Sequence, residues 1–217
     1  MIIKQRNKMI KLVHLLCVPE HEREVNSVKC LEQLEPEIKY IKHVNPPYKE
    51  KPPVKTCHRP HAVTHRQGQR GQLWCGHYGA FLAHKRAVIE EFDADFLMIC
   101  ECDCQITIPH LDFINEVKEA CQFIEQENIS YLSFGNNEPN IKYSSGKFTV
   151  TPDIFKTHCI LFPKKTKDFL INSFNNAPWD NIDFFYNRIF RDRKIAISNQ
   201  QLAVQVGESL IDIKIKL

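Results

Sequence analysis

The chain has 217 residues, 43% of them hydrophobic and 25% charged, with a net charge of +3, a balance that can bury a core and excludes global disorder. Only seven residues are glycine, which argues against glycine-rich repeats and against a fold built on glycine phosphate loops. The longest apolar runs, such as Phe96–Cys100, fall far short of the ~20 residues needed to cross a bilayer; the basic start Met1–Lys11 is followed by no long apolar signal core, so a soluble, cytoplasmic protein with no membrane partner is expected.

In chain order, Ile10–Val18 is rich in aliphatic residues and stops at Pro19, as a buried first strand does. Glu20–Leu34 carries Val25, Val28, Leu31 and Leu34 near a 3.6 period, with Pro36 beyond it, which predicts an amphipathic helix. Ile38–Val44 alternates and reads as a second strand, and strand, helix, strand is the opening of a parallel α/β sheet. Asn45–Gly71 holds five prolines and almost no aliphatic pattern, the mark of a functional or disordered segment. From Lys39 to Gly71 eight Lys or Arg face one acid, Glu50, so this stretch carries +7 and the remainder −4. That asymmetry points to an anionic partner, a nucleotide diphosphate or a nucleic-acid backbone; a solvated basic loop has the same composition.

Helical character resumes over Trp74–Glu91, and Phe96–Cys100 is a short continuous apolar strand. Leu111–Glu127 is a second amphipathic helix, and Ile129–Phe134 a further strand. Phe148–Val150 and His158–Phe162 read as later strands, Pro163–Asn175 and Ile182–Phe190 as helices. Ile195–Ser198 precedes an alternating tail that ends at Leu217. With no convincing linker, the expectation is one α/β domain over residues 1–217, a mostly parallel central sheet flanked by helices, with a basic proline-rich loop at about 45–71. The nine cysteines are odd in number and embedded in apolar or alternating segments, which fits free thiols better than a disulfide framework.

The most informative stretch is Leu97–Cys104, in which a hydrophobic strand delivers two carboxylates, Glu101 and Asp103. Strand geometry has period two, so both acids can project to one side and Cys100, Cys102 and Cys104 to the other. Ligands of open α/β sheets bind outside the carboxyl ends of the strands, and two acids there can hold a hard divalent cation that neutralises a diphosphate. Cys102 and Cys104, with Cys57 or Cys75, could instead bind zinc, but no C-x-x-C pair exists in the chain and strand cysteines are more often small core residues.

A strand followed by E/D-x-D and then a helix resembles the metal and nucleotide-sugar signature of GT-A-fold glycosyltransferases. Upstream, Gly76–His84 is similar to the G-E-x-G-C-x-x-S-H segment of glycosyltransferase family 25, 16 residues before Cys100. Thr157–Leu161 occupies the place of that family's G-T-x-A-Y strand, and Leu202–Ser209 resembles its closing segment. The likeness spans roughly residues 10–212. It departs at His77, Ala83 and Cys102, where the family has Glu, Ser and Asp. Short proteins of this kind resemble viral and phage glycosyltransferases, which implies residence in a host cytoplasm.

The resemblance implies a nucleoside-diphosphate sugar as donor, Mn2+ or Mg2+ as cofactor, and transfer to a hydroxyl. Asp103 and Glu101 would hold the metal and the nucleotide, with His158, the last histidine, as third metal ligand and Gln205 as its alternative. Val18 and Arg23, beside Leu16, Cys17 and Pro19 at the end of the first strand, would meet the nucleoside, and Lys85 or Arg86 could reach the phosphates. An inverting transfer needs a carboxylate base; Asp180 and Asp183 are the candidates, and either could equally be a helix cap. Trp179 would stack on a sugar or base, and Arg59, Arg66 and Arg70 would bind the acceptor. The +7 segment would suit DNA as that acceptor, and the resemblance to phage enzymes implies hydroxymethylcytosine as the base modified. A glycan or protein hydroxyl is the alternative, and a nucleic-acid-binding protein without chemistry is the competing class.

Overall fold

A computed structural model describes residues 8–46, 71–135, 145–154 and 156–206, with backbone alone for 71–76. Nine strands and five α-helices occur among these residues. The first seven elements are β1 (Ile10–Leu16), α1 (Glu22–Glu32), β2 (Lys39–Val44), α2 (Gly71–Glu91), β3 (Phe96–Cys100), β4 (Cys104–Ile106) and α3 (His110–Gln126). They are followed by β5 (Leu132–Ser133), β6 (Phe148–Thr151), β7 (Cys159–Pro163), a 3-10 turn (Lys164–Thr166) and α4 (Lys167–Asn176). The last are α5 (Ile182–Ile189), β8 (Ile195–Ser198) and β9 (Ala203–Gln205).

Seven strands form one sheet in the order β2-β1-β3-β7-β5-β8-β6, and β4 and β9 make a separate two-stranded ribbon. β1 pairs in parallel with β2 and β3, and β5 with β8; β7 and β6 run against their neighbours. Five strands therefore share one direction, and the expected mostly parallel sheet flanked by helices is what forms. The interior strands β1 and β3 are buried throughout, which is why they read as nearly continuous apolar runs rather than alternating ones.

The period of two sorts their side chains between two cores. Leu12, Phe96, Met98 and Cys100 join the core under α1 and α3, with Leu31, Phe113 and Val117. Val13, Leu15, Leu97 and Ile99 join the core under α2, α4 and α5, with Phe81, Leu170 and Phe185. α3 buries Phe113, Ile114, Val117, Ala120, Cys121 and Ile124, the stripe its spacing predicts.

Because β7 lies antiparallel between β3 and β5, its first residues stand beside the last residues of both. Cys159 faces Cys100 in register, and the Phe134 amide donates to the Cys159 carbonyl at 2.9 Å. One edge of the sheet thus gathers the ends of β1, β3 and β5 with the start of β7. The basic stretch from 47 to 70, the end of the Leu202–Ser209 segment and the alternating tail lie outside the described residues.

Candidate active site

The strand that carries the acids ends at Cys100, and the chain turns at once: the Cys104 amide donates to the Glu101 carbonyl at 3.0 Å. This turn corrects the expectation that Glu101 and Asp103 share a side. Period two holds only while the chain is extended. Inside the turn Glu101 faces α2 and the approach to β7, and Asp103 faces α1 and β9. The cysteines separate as well. Cys100 and Cys104 meet in one core, whereas Cys102 stands beside Cys17.

Glu101 is held by buried partners. Its Oε1 lies 3.4 Å from His84 Nε2 and 3.5 Å from the Thr157 hydroxyl, and its amide donates to the His158 carbonyl at 2.9 Å. His84, fully buried, has its Nδ1 3.0 Å from the Tyr186 hydroxyl. Burial works to raise the Glu101 carboxyl, but the His84 contact and charge, helped by His158 and Thr157, outweigh it and hold the group below the usual carboxylate range.

Asp103 has the opposite character. It is 3% exposed; burial, then the neighbouring Glu101 charge, push its carboxyl up against the pull of Gln205 and Arg23. Oδ2 accepts from Gln205 Nε2 at 2.7 Å and sits 3.5 Å from Arg23 NH1. The Val206 amide donates to the Asp103 carbonyl at 3.0 Å, so the last residue of β9 and the one after it hold the side chain and the backbone of Asp103. Oδ1 is buried and has no hydrogen-bond partner among the described residues, as an oxygen reserved for a cation would be. The donor type fits a hard divalent ion. Glu101, Asp103 and His158 do not converge within 4.8 Å of one another as a ready-made cage among the described residues, so Asp103 is the residue that fits the cation best.

At the end of β1 the fully buried Glu24 carboxylate accepts from the amides of Cys17 and Val18 at 2.9–3.2 Å. This carboxylate fixes the loop where Val18 stands exposed. Arg23, one residue earlier on α1, crosses to the acidic turn and donates to Cys102 Sγ at 3.4 Å. Behind the turn, the His14 ring joins the Tyr40 hydroxyl at 2.8 Å and the Ser27 hydroxyl at 3.0 Å, and Ser27 donates to the Cys104 carbonyl. Buried polar side chains thus tie β2, β1 and α1 to the turn.

The other candidates are placed as follows. Asp183 opens α5, and its Oδ1 accepts from the Thr157 hydroxyl at 2.7 Å, which brings it to Glu101 through one side chain. Asn181 caps that helix by accepting from the Asp183 amide at 3.1 Å, and its Nδ2 meets His77 Nδ1 at 2.8 Å. Asp180 is buried, ion-paired with Arg188 at 3.2 Å and bonded to the Asn181 amide. Trp179, 5% exposed, packs edge-on against Tyr78. His158 is buried with Nε2 3.2 Å from the Ala203 carbonyl. Its ring lies so close to Gly135 that a Cβ there would fall 2.1 Å from Nε2. Lys85 is half-buried on α2. Arg59, Arg66 and Arg70 lie outside the described residues.

No protein-family model matches the chain, and no curated protein matches it. Among solved structures it is similar to one described as "crystal structure of a glycosyltransferase involved in the glycosylation of the major capsid of PBCV-1". The TM-score is 0.52 at 11% identity, over 93% of this chain and 96% of that one. The chain therefore shares the fold of that structure. No helix among the described residues is long and apolar enough to cross a membrane.

Proposed function

We propose that the protein is a metal-dependent glycosyltransferase that moves a sugar from a nucleoside-diphosphate donor to a hydroxyl acceptor. One observation carries the reading. At the carboxyl ends of β1 and β3, Asp103 keeps a buried carboxylate oxygen with no partner among the described residues, while the Thr157 hydroxyl that donates to Asp183 lies 3.5 Å from Glu101. A site of that kind separates a cation ligand from a proton acceptor.

Asp103 would hold Mn2+ or Mg2+, which when bound supplies positive charge against the leaving diphosphate. Arg23 adds a fixed positive charge at the same edge, and the Val18 loop, fixed by Glu24, offers the nucleoside a preformed wall. In an inverting transfer the acceptor oxygen bonds to the anomeric carbon as the bond to the diphosphate oxygen breaks, and the hydroxyl proton goes to a carboxylate. Asp183 is the better candidate for that role than Asp180, because Thr157 places it beside Glu101 at the strand ends. The Thr157 hydroxyl has one proton; at 2.7 Å it donates to Asp183 and is only in marginal contact with Glu101 at 3.5 Å, so it orients the acceptor of the proton.

The similar structure's part in capsid glycosylation supports a protein-linked glycan or protein hydroxyl as acceptor. The +7 charge from Lys39 to Gly71 favours a second reading, hydroxymethylcytosine in DNA, whose base would be flipped out of the stack to be reached. The test of the class is a thermal-shift screen of nucleoside diphosphates with manganese. A nucleotide at about 100 times its Kd adds about 2.7 kcal/mol, or about 5–10 °C for a chain of this size. Asp103→Asn should abolish that shift. Equal shifts with and without manganese, unchanged in Asp103→Asn, would refute the metal-dependent reading.

A further inference from the structure

Three thiols outside the oxygen-ligand site converge in the core. Cys100 ends β3, Cys104 begins β4 and Cys159 begins β7; each is fully buried, and their Sγ atoms all lie within 4.8 Å of one another. The Cys100 thiol donates to the Cys159 sulfur at 3.5 Å, and both cysteines are free of disulfides. We propose that Cys100, Cys104 and Cys159 form a buried site for one thiophilic d10 cation, of the zinc or cadmium type. This proposal does not depend on the glycosyltransferase reading.

The three convergent sulfurs supply three of the four positions around such an ion. A metal–sulfur bond of about 2.3 Å puts the sulfurs of a zinc–thiolate centre about 3.8–4.0 Å apart, so only small side-chain movements separate the present arrangement from a coordinated one. The donor set is soft and selects against Mg2+ or Mn2+, which take oxygen ligands. The three residues come from three segments and the sulfurs point at each other. Cysteines acting only as small apolar residues would more simply face the neighbouring Phe113, Phe134 and Leu202, which share that core. Binding exchanges three S–H bonds for three metal–sulfur bonds and releases three protons per divalent ion. The burial of all three sulfurs implies loading during folding rather than entry into the finished structure.

The site would also have a mechanical consequence. Cys100 and Cys104 bracket Glu101–Asp103, so an ion joining them to Cys159 clamps both ends of the acidic turn to β7.

The test uses the full chain produced in medium supplemented with zinc or, separately, with cadmium. The expected result is about one ion per chain retained through gel filtration in a mild chelator, and a thiolate-to-metal charge-transfer band in the cadmium form. Cys159→Ser, and independently Cys104→Ala, should lose the ion and the band, with circular dichroism confirming that each variant folds. Cys17→Ser, Cys102→Ser, the pair Cys57→Ser with Cys75→Ser, and Asp103→Asn should keep both. Because Asp103→Asn is expected to lose only the nucleotide response, failure of the two readings is distinguishable. Wild-type protein with all thiols reduced that retains no ion and shows no band overturns the proposal, and this holds whether or not any variant folds. An ion lost instead from Cys17→Ser or Cys102→Ser overturns it as well.

Discussion

His14 shows how one buried residue can couple the site to pH. It is fully enclosed, and burial, aided by the charge of Lys42, lowers its pKa from 6.5 to about 4 against the opposing pull of the Glu101 and Cys102 backbone. Between those values the unfolded chain binds a proton that the folded chain does not, so stability is full above pH 6.5 and is lost as pH falls toward 4. A shift of this size corresponds to about 3 kcal/mol. Chemical denaturation across this range should show that decline, and His14→Asn should flatten it whatever its effect at neutral pH. Thr157 makes a second prediction. Replacing it with Val keeps the volume and removes the hydroxyl that orients Asp183, a bond to a charged group worth about 1.5–3 kcal/mol. Sugar transfer should fall about tenfold or more in kcat, with donor affinity within about twofold; a change confined to donor affinity would count against the role given to Asp183. Glu101 and Asp103 were legible in the sequence because two acids follow a buried strand. His84 stood in a recognised segment, yet nothing in a linear pattern says that its ring reaches Glu101. Thr157 and Glu24 carry no motif at all, since their roles come from the folded path of the chain.

The elements followed the pattern wherever hydrophobic periodicity ran long enough to be read. Phe96–Cys100 and Ile195–Ser198 have the expected bounds, and α3 is displaced by one residue at each end. The failures are short and local. Ile129–Phe134 contributes only Leu132–Ser133 to the sheet. The ribbon of β4 and β9 was not visible, because three residues on each side give no periodicity and its widest pair, Cys104 with Gln205, joins residues 101 positions apart. The same turn that creates β4 broke the period-two expectation for the acids. Two element-level predictions follow from caps and close approaches. Asn181→Ala removes the α5 cap and its tie to His77; the cost should be about 1 kcal/mol, a fall in Tm of about 2–4 °C. Gly135→Ala places a methyl where the His158 ring lies. The ring must leave the Ala203 carbonyl, and scanning calorimetry should register a loss of about 1–3 kcal/mol.

For the whole molecule, the fold class was readable because strand, helix, strand recurs along the chain, while the strand order was not. The antiparallel β7, inserted between β3 and β5, makes the site composite. It brings Thr157 and His158 to a strand end laid down more than 50 residues earlier, a neighbourhood that only the topology creates. Charge is the other property of the whole chain. The stretch from Lys39 to Gly71 carries +7, and if the acceptor is DNA each phosphate it neutralises releases condensed counterions. Log affinity for DNA should then fall linearly with log salt, by about 0.9 per phosphate contacted. Changing Lys55, Arg59, Arg66 and Arg70 together to Gln should flatten that slope and weaken DNA far more than the nucleotide sugar, whose diphosphate is expected near Asp103 at the end of β3. Labelled-sugar transfer to hydroxymethylcytosine DNA, run beside peptidyl hydroxyls and free glycans, makes the choice between acceptors. If label enters only the glycan or protein acceptor and the four substitutions leave transfer unchanged, the basic stretch is a solvated segment and the acceptor surface must be built from the described edge around Asp183.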